Sequence, residues 1–63
     1  MNRIKEVRTA QGMTQIELAT RAAVSQPYIN DLENNRRGAK HETLERIAVA
    51  LGVTVDELTE KAG

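Results

Sequence analysis

Three times in 63 residues the sequence spells the start of a helix, so any fold it adopts must be built from short helices. Thr14 is followed three residues later by Glu17, and Thr54 by Glu57. In this pattern the hydroxyl accepts from the third helical N–H while the carboxylate accepts from the cap's own N–H. Met13 with Leu18, and Val53 with Leu58, add the apolar pair that fixes how the chain enters each helix. Ser25 has the same apolar bracket, Val24 with Ile29, but carries Tyr28 where the carboxylate would stand. Helices are therefore predicted to begin near residues 15, 26 and 55. Asn2 is a good cap for a first helix, and a further helix should follow the loop "NRRGAKH", near His41. Gly12 and Gly52 are placed to end helices in the left-handed conformation, and Asn35 is a turn residue that tolerates positive φ.

Apolar spacing agrees with these boundaries. Ile4, Val7 and Ala10 step by three, as do Ile29 and Leu32, while Leu44, Ile47, Ala48 and Leu51 follow the i, i+3, i+4, i+7 pattern of one helical face. No stretch alternates with period two. Pro27 looks at first like a break between two helical runs. If Ser25 is the cap, Pro27 falls in the first turn, where its missing N–H would have had no helical partner. Gln26 is then the strained neighbour, because a residue before proline is pushed away from α geometry.

A chain this short buries only about 60% of its unfolded surface and needs tight packing, a cross-link or a partner. It has no cysteine and one histidine, His41, so disulfides, thiolate zinc sites and multi-histidine metal sites are excluded. No cofactor is expected. The absence of cysteine fits a reducing compartment. The longest apolar run, Ile47 to Val53, is too short for a membrane span, which takes about 20 residues, and "MNRIKEVR" is not expected to be a signal peptide. Tyr28 is the only aromatic residue, which disfavours a stacking platform for single-stranded nucleic acid. No nucleophile–base–acid set is visible, so an enzyme is not expected.

The net charge of zero hides two unlike halves. Residues 1–40 carry seven basic and four acidic side chains, a net +3, and residues 41–63 carry two basic and five acidic, a net −3. Such asymmetry suits an anion-binding half beside a non-binding one, although chance sorting of surface charge gives the same count. Helices over about 15–22 and 26–34, joined by Ala23 to Ser25, have the length of a helix-turn-helix, with Leu18, Ala19, Val24, Ile29 and Leu32 facing inward. Spacing alone fits many small helical domains equally well.

The stretches "MTQIELATRAAVSQPYINDLENN" and "ETLERIAVALGVTVDEL" decide between them, because together they resemble the phage-repressor, Cro/CI-like (XRE-type) helix-turn-helix family. "TQ-x-ELA", "VSQ-x-x-I-x-x-LEN", "TL-x-x-IA-x-ALGV" and "DEL" fall in register over about Ile4 to Leu58. The resemblance implies an all-α, compact five-helix bundle of the lambda-repressor-like kind, a single domain over 1–63. It implies a transcriptional regulator, in the main a repressor, in a bacterial or phage cytoplasm. Its partner would be double-stranded DNA with a palindromic operator, bound by a homodimer.

The resemblance also assigns residues. Gln15 opens the second helix, where family members bond a DNA phosphate, aided by free N–H groups at a helix start. Ser25, Gln26, Pro27 and Tyr28 open the recognition helix, whose first turn faces base edges in the major groove. Gln26 is the leading base reader, since its amide matches adenine N6 and N7. Tyr28 would pack on a thymine methyl or bond a phosphate, and Pro27 would be a rigid apolar contact. Asn30 and Asp31 lie one turn along, where Asp31 would accept from cytosine N4 or repel wrong registers. Ser25, Asn34, Arg36, Arg37 and Lys40 would meet backbone phosphate. Arg8 and Glu33 correspond to a structural ion pair between the first and third helices, and Val49 and Val55 to a dimer surface.

Three residues depart from the family pattern. Ala23 stands where a turn glycine is common, His41 where a proline is, and Ile16 where polar residues are frequent. Two rival readings remain from the sequence. One is an antitoxin-like module that covers a protein partner as well as DNA. The other is a stable helical scaffold that has lost DNA binding.

Overall fold

The computed structural model describes residues 2–59. Five α-helices follow one another: α1 (Ile4–Ala10), α2 (Gln15–Ala22), α3 (Gln26–Glu33), α4 (His41–Leu51) and α5 (Val55–Leu58). The local signals work as the sequence expects. Thr14 and Thr54 each form the full reciprocal box with Glu17 and Glu57, and the Ser25 hydroxyl accepts from the Tyr28 N–H at 3.2 Å. Gly12 and Gly52 take φ of 67° and 70° at helix ends, and Asn35 takes 57° just past α3. The third helix closes one residue earlier than expected, with Asn34 as its cap.

The start of α1 differs from the expectation. Arg3, not Asn2, occupies the cap position, and Arg3 makes no side-chain cap bond. Asn2 still serves the helix from one residue further out, its Oδ1 accepting from the Ile4 N–H at 3.1 Å. Its amide nitrogen meanwhile donates to the Leu32 carbonyl at 2.7 Å, tying the start of the chain to the end of α3. An isolated antiparallel bridge, Asn2 with Thr59, and the Arg3 N–H donating to Leu58 O at 2.7 Å close the two ends of the described chain on each other.

The core is aliphatic. Ile4, Leu18, Ile29, Leu32, Ile47 and Leu58 are fully buried, and Met13, Ala19, Ala22, Ala48 and Leu51 complete the cluster. Full burial of one such large side chain contributes roughly 1.5–3 kcal/mol. Val24 is only half-buried at its edge, and Ala10, which keeps the spacing of α1, is exposed. Central in the packing is α2, which meets α3 on one side and α4 on another, while α5 packs on α4 and α1 on α3. Ala19 and Ala22 are the small side chains on the buried face of α2. Gln11 adds a polar tie, its amide nitrogen donating to Leu51 O at 2.6 Å.

Candidate nucleic-acid interface

The turn between α2 and α3 is made by Ala23 in the left-handed region, with φ 59° and ψ 43°. The Val24 N–H then donates to Ala19 O at 2.9 Å, so the turn is satisfied internally. Ser25 caps α3, and Pro27 sits exposed at its second position without removing a needed hydrogen bond. The sequence therefore presents the first turn of α3, through Gln26, Pro27 and Tyr28, at one end of a rigid helix pair.

A polar chain runs beneath that turn. The Glu33 Oε2 accepts from Arg8 Nε at 2.6 Å, and its Oε1 accepts from Arg8 Nη2 at 3.0 Å. This two-point pairing is nearly sealed from solvent, with side-chain exposures of 10% for Arg8 and 1% for Glu33. Arg8 Nη1 also donates to Met13 O at 2.7 Å. The same Glu33 Oε1 accepts from Gln15 Nε2 at 2.9 Å, and Gln15 Oε1 accepts from Gln26 Nε2 at 2.6 Å. The carboxylate thus sets the direction of both amides. Gln15 must turn its nitrogen inward to Glu33, so its oxygen faces Gln26, and Gln26 is left with its own Oε1 as an acceptor for something outside. The expected pair of Arg8 and Glu33 is formed, but the sequence did not reveal that it steers Gln15 and Gln26. Two glutamines at the starts of neighbouring helices were the available signal.

Further along α3 lies a second cluster. Asn35 reverses the chain, and the Arg36 N–H donates to Asp31 O at 2.8 Å. Arg36 Nη1 stands 3.1 Å from its acceptor Asn30 Oδ1 and 3.6 Å from Asp31 Oδ1. Arg37 Nε lies 3.9 Å from Asp31 Oδ2, and its guanidinium covers the Tyr28 ring at 5.1 Å from the centroid. Tyr28 is half-buried and packs on the core, so it serves the interior and the surface together. Asn34 turns back to donate to Asn30 O at 2.8 Å. Lys40 is exposed at the cap of α4 and makes no side-chain cap bond there. Spacing offered a clue to this cluster, because a turn after Asn34 brings residues five and six positions beyond Asp31 back onto it.

Val49 is 81% exposed on α4, whereas Val55 is half-buried against the core. Ile16 is 67% exposed at the start of α2. His41 faces Glu45 one turn on, at 3.6 Å. Among the described residues, no helix is long and apolar enough to cross a membrane.

Two short helices crossed over a three-residue turn, with the capped start of the second turned outward, define a helix-turn-helix domain. The helix-turn-helix family model matches residues 4–58, and the chain belongs to that family. It is 38% identical over 58 residues to an HTH-type transcriptional regulator of Deinococcus deserti, DdrOP3, covering 92% of this chain and 45% of the relative. The immunity repressor protein of Bacillus phage phi105 is 39% identical, with 89% of this chain and 39% of the repressor covered. The chain thus spans less than half the length of these two relatives. The solved N-terminal DNA binding domain of SinR from Bacillus subtilis matches with a TM-score of 0.84 at 33% identity, covering 97% of this chain and 91% of that one.

Proposed function

We propose that this domain binds double-stranded DNA in a sequence-specific way and acts within a transcriptional repressor that occupies an operator. The observation that carries the reading is the Glu33–Gln15–Gln26 chain, which holds a free amide acceptor at the exposed start of α3. In a helix-turn-helix this turn enters the major groove. Gln26 reads a base, its remaining Oε1 accepting from adenine N6 and its amide still able to donate to N7. Pro27 and Tyr28 supply apolar contact beside it, and Asn30 lies one turn along. Gln15, Ser25, Arg36, Arg37 and Lys40 meet phosphate, where α2 adds the field of its N-terminus.

Asn34 and Asp31 have weaker claims to DNA. Asn34 spends its amide on its own helix, and Asp31 faces two arginines. Binding rather than catalysis is the work of this surface, and the cytoplasm is its place. A homodimer, meeting through α4 and Val49, sets two copies of α3 on a palindrome. The antitoxin-like reading needs a broad apolar patch. Ile16 and Val49 are single exposed residues on different helices, which is ordinary for a protein surface.

Selection of sites from a random duplex pool, at two salt concentrations, tests the proposal. The expected product is a palindrome with half-sites about one helical turn apart. On that site Gln26→Ala should cost roughly 1–3 kcal/mol and relax the choice of base at one position per half-site. A folded protein that selects nothing would overturn the proposal.

A further inference from the structure

Asp31 lies between the two loop arginines, and nothing about a base reader requires that. The backbone enforces the arrangement: positive φ at Asn35 turns the chain, and the Arg36 N–H is fixed on the Asp31 carbonyl. Each guanidinium also has a second tether, Arg36 on Asn30 Oδ1 and Arg37 on the Tyr28 ring. Two positive groups thus share one carboxylate. Its oxygens stand 3.6 and 3.9 Å from the nearest guanidinium nitrogens, longer than the 2.7–2.9 Å or so of a tight charge-assisted bond. The pairing is loose and open to exchange. Both arginine side chains are more than half exposed, whereas Asp31 is 35% exposed. Solvent-borne anions therefore reach the guanidinium groups while the carboxylate keeps its hold.

A carboxylate and a phosphate offer guanidinium the same pair of oxygens. We infer that Asp31 is a positioning residue that stands in for phosphate in the free protein, so that any duplex must compete with it for Arg36 and Arg37. The inference rests on the reading of those two arginines as phosphate ligands. Phosphate contacts carry no sequence information, and they supply most of the attraction to unrelated DNA. Cancelling one positive charge there lowers sequence-blind retention and leaves the base-reading turn untouched. The penalty falls on operator and random sites alike, so Asp31 sets the strength and salt dependence of all binding rather than the choice of site.

Asp31→Asn keeps the shape and removes the charge. Binding to an unrelated duplex, followed by fluorescence anisotropy from 50 to 200 mM salt, should gain about one phosphate contact. The slope of log K against log salt then steepens by about 0.9, and the gain in affinity at 50 mM exceeds that at 200 mM by about 3.5-fold. Asp31→Glu restores the charge and should keep the original slope. Joint Arg36→Ala and Arg37→Ala should flatten the slope and abolish the effect of Asp31→Asn. An unchanged slope in Asp31→Asn overturns the inference. So does a gain that persists without the arginines, since Asp31 would then act as bare repulsion. If the arginine pair can be removed with no change in slope, the phosphate reading itself is overturned, and the inference with it.

Discussion

Ala23 holds a conformation that its side chain opposes. Left-handed geometry costs an L-residue roughly 1–2 kcal/mol, because Cβ crowds the following carbonyl. Glycine would remove that strain but would gain freedom in the unfolded chain, offsetting about 0.4–1 kcal/mol. Ala23→Gly should therefore stabilise the domain by about 0.5–1 kcal/mol, which raises Tm by about 2–8 °C at this size. Gly52 gives the reverse experiment. It has φ of 70°, and a Cβ built there meets no atom within 4 Å, so only the backbone strain is at stake. Gly52→Ala should lower Tm by a comparable amount. Thermal unfolding of both variants checks the pair, and equal Tm values for all three proteins would show that left-handed strain is relieved elsewhere. The cap residues form a third case at this scale. Ser25→Ala leaves the Tyr28 N–H without its acceptor and should cost about 1 kcal/mol.

Between elements, the Arg8–Glu33 pair links α1 to α3, and through Gln15 it reaches α2. Removing one member of a buried pair leaves the other charge uncompensated, at a cost of about 3–5 kcal/mol. A domain of this size has only about 3–9 kcal/mol in total, at 0.05–0.15 kcal/mol per residue. Glu33→Gln should therefore leave the protein barely folded in urea titration. Arg8→Met combined with Glu33→Leu should recover most of that loss, since an apolar replacement of a buried pair is often neutral. Recognition should not recover with it, because Gln15 would lose the acceptor that directs its amide toward Gln26. Restored stability together with full discrimination at the Gln26 base would show that the chain does not steer recognition. The same elements show what a sequence can disclose. Caps, staples and left-handed turns span three to six residues, so Thr14 with Glu17 and Thr54 with Glu57 could be read directly. The two helices and the short turn between them followed from these signals, whereas the helix-turn-helix identity and the pairing of Arg8 with Glu33 came from the family resemblance. Asn2 on Leu32, Gln11 on Leu51 and the bridge to Thr59 could not be read, because each joins residues 30 or more positions apart and depends on how the helices pack. The contacts of Asp31 with Arg36 and Arg37 could not be read for a related reason. Its place on α3 was legible, but its partners arrive only after the chain turns at Asn35.

The domain measures 31 × 22 × 19 Å, and its described residues hold one helix-turn-helix. Successive half-sites of a palindrome lie about 34 Å apart, further than the longest dimension of one copy. Two copies are needed to read both, and the two-fold relation between them requires one self-complementary patch. Val49 on α4 is the large apolar side chain most exposed among the described residues, with Ala50 and Val55 half-buried nearby in sequence. A charge at Val49 would be well hydrated in a monomer, yet in a two-fold interface it would face either its own copy or the partner's apolar patch. Val49→Asp should accordingly leave Tm within a few degrees of the parent, since an exposed substitution usually changes stability by less than about 0.5 kcal/mol. Binding to a duplex with one half-site should be unchanged. Binding to the full palindrome should fall at least tenfold, as the two copies lose their mutual contact and each must bind alone, at a loss of about 1.4 kcal/mol or more. Titration of both duplexes, with sedimentation to count the copies bound, separates the possibilities. Equal affinity of Val49→Asp and parent for the palindrome would move the dimer surface away from α4.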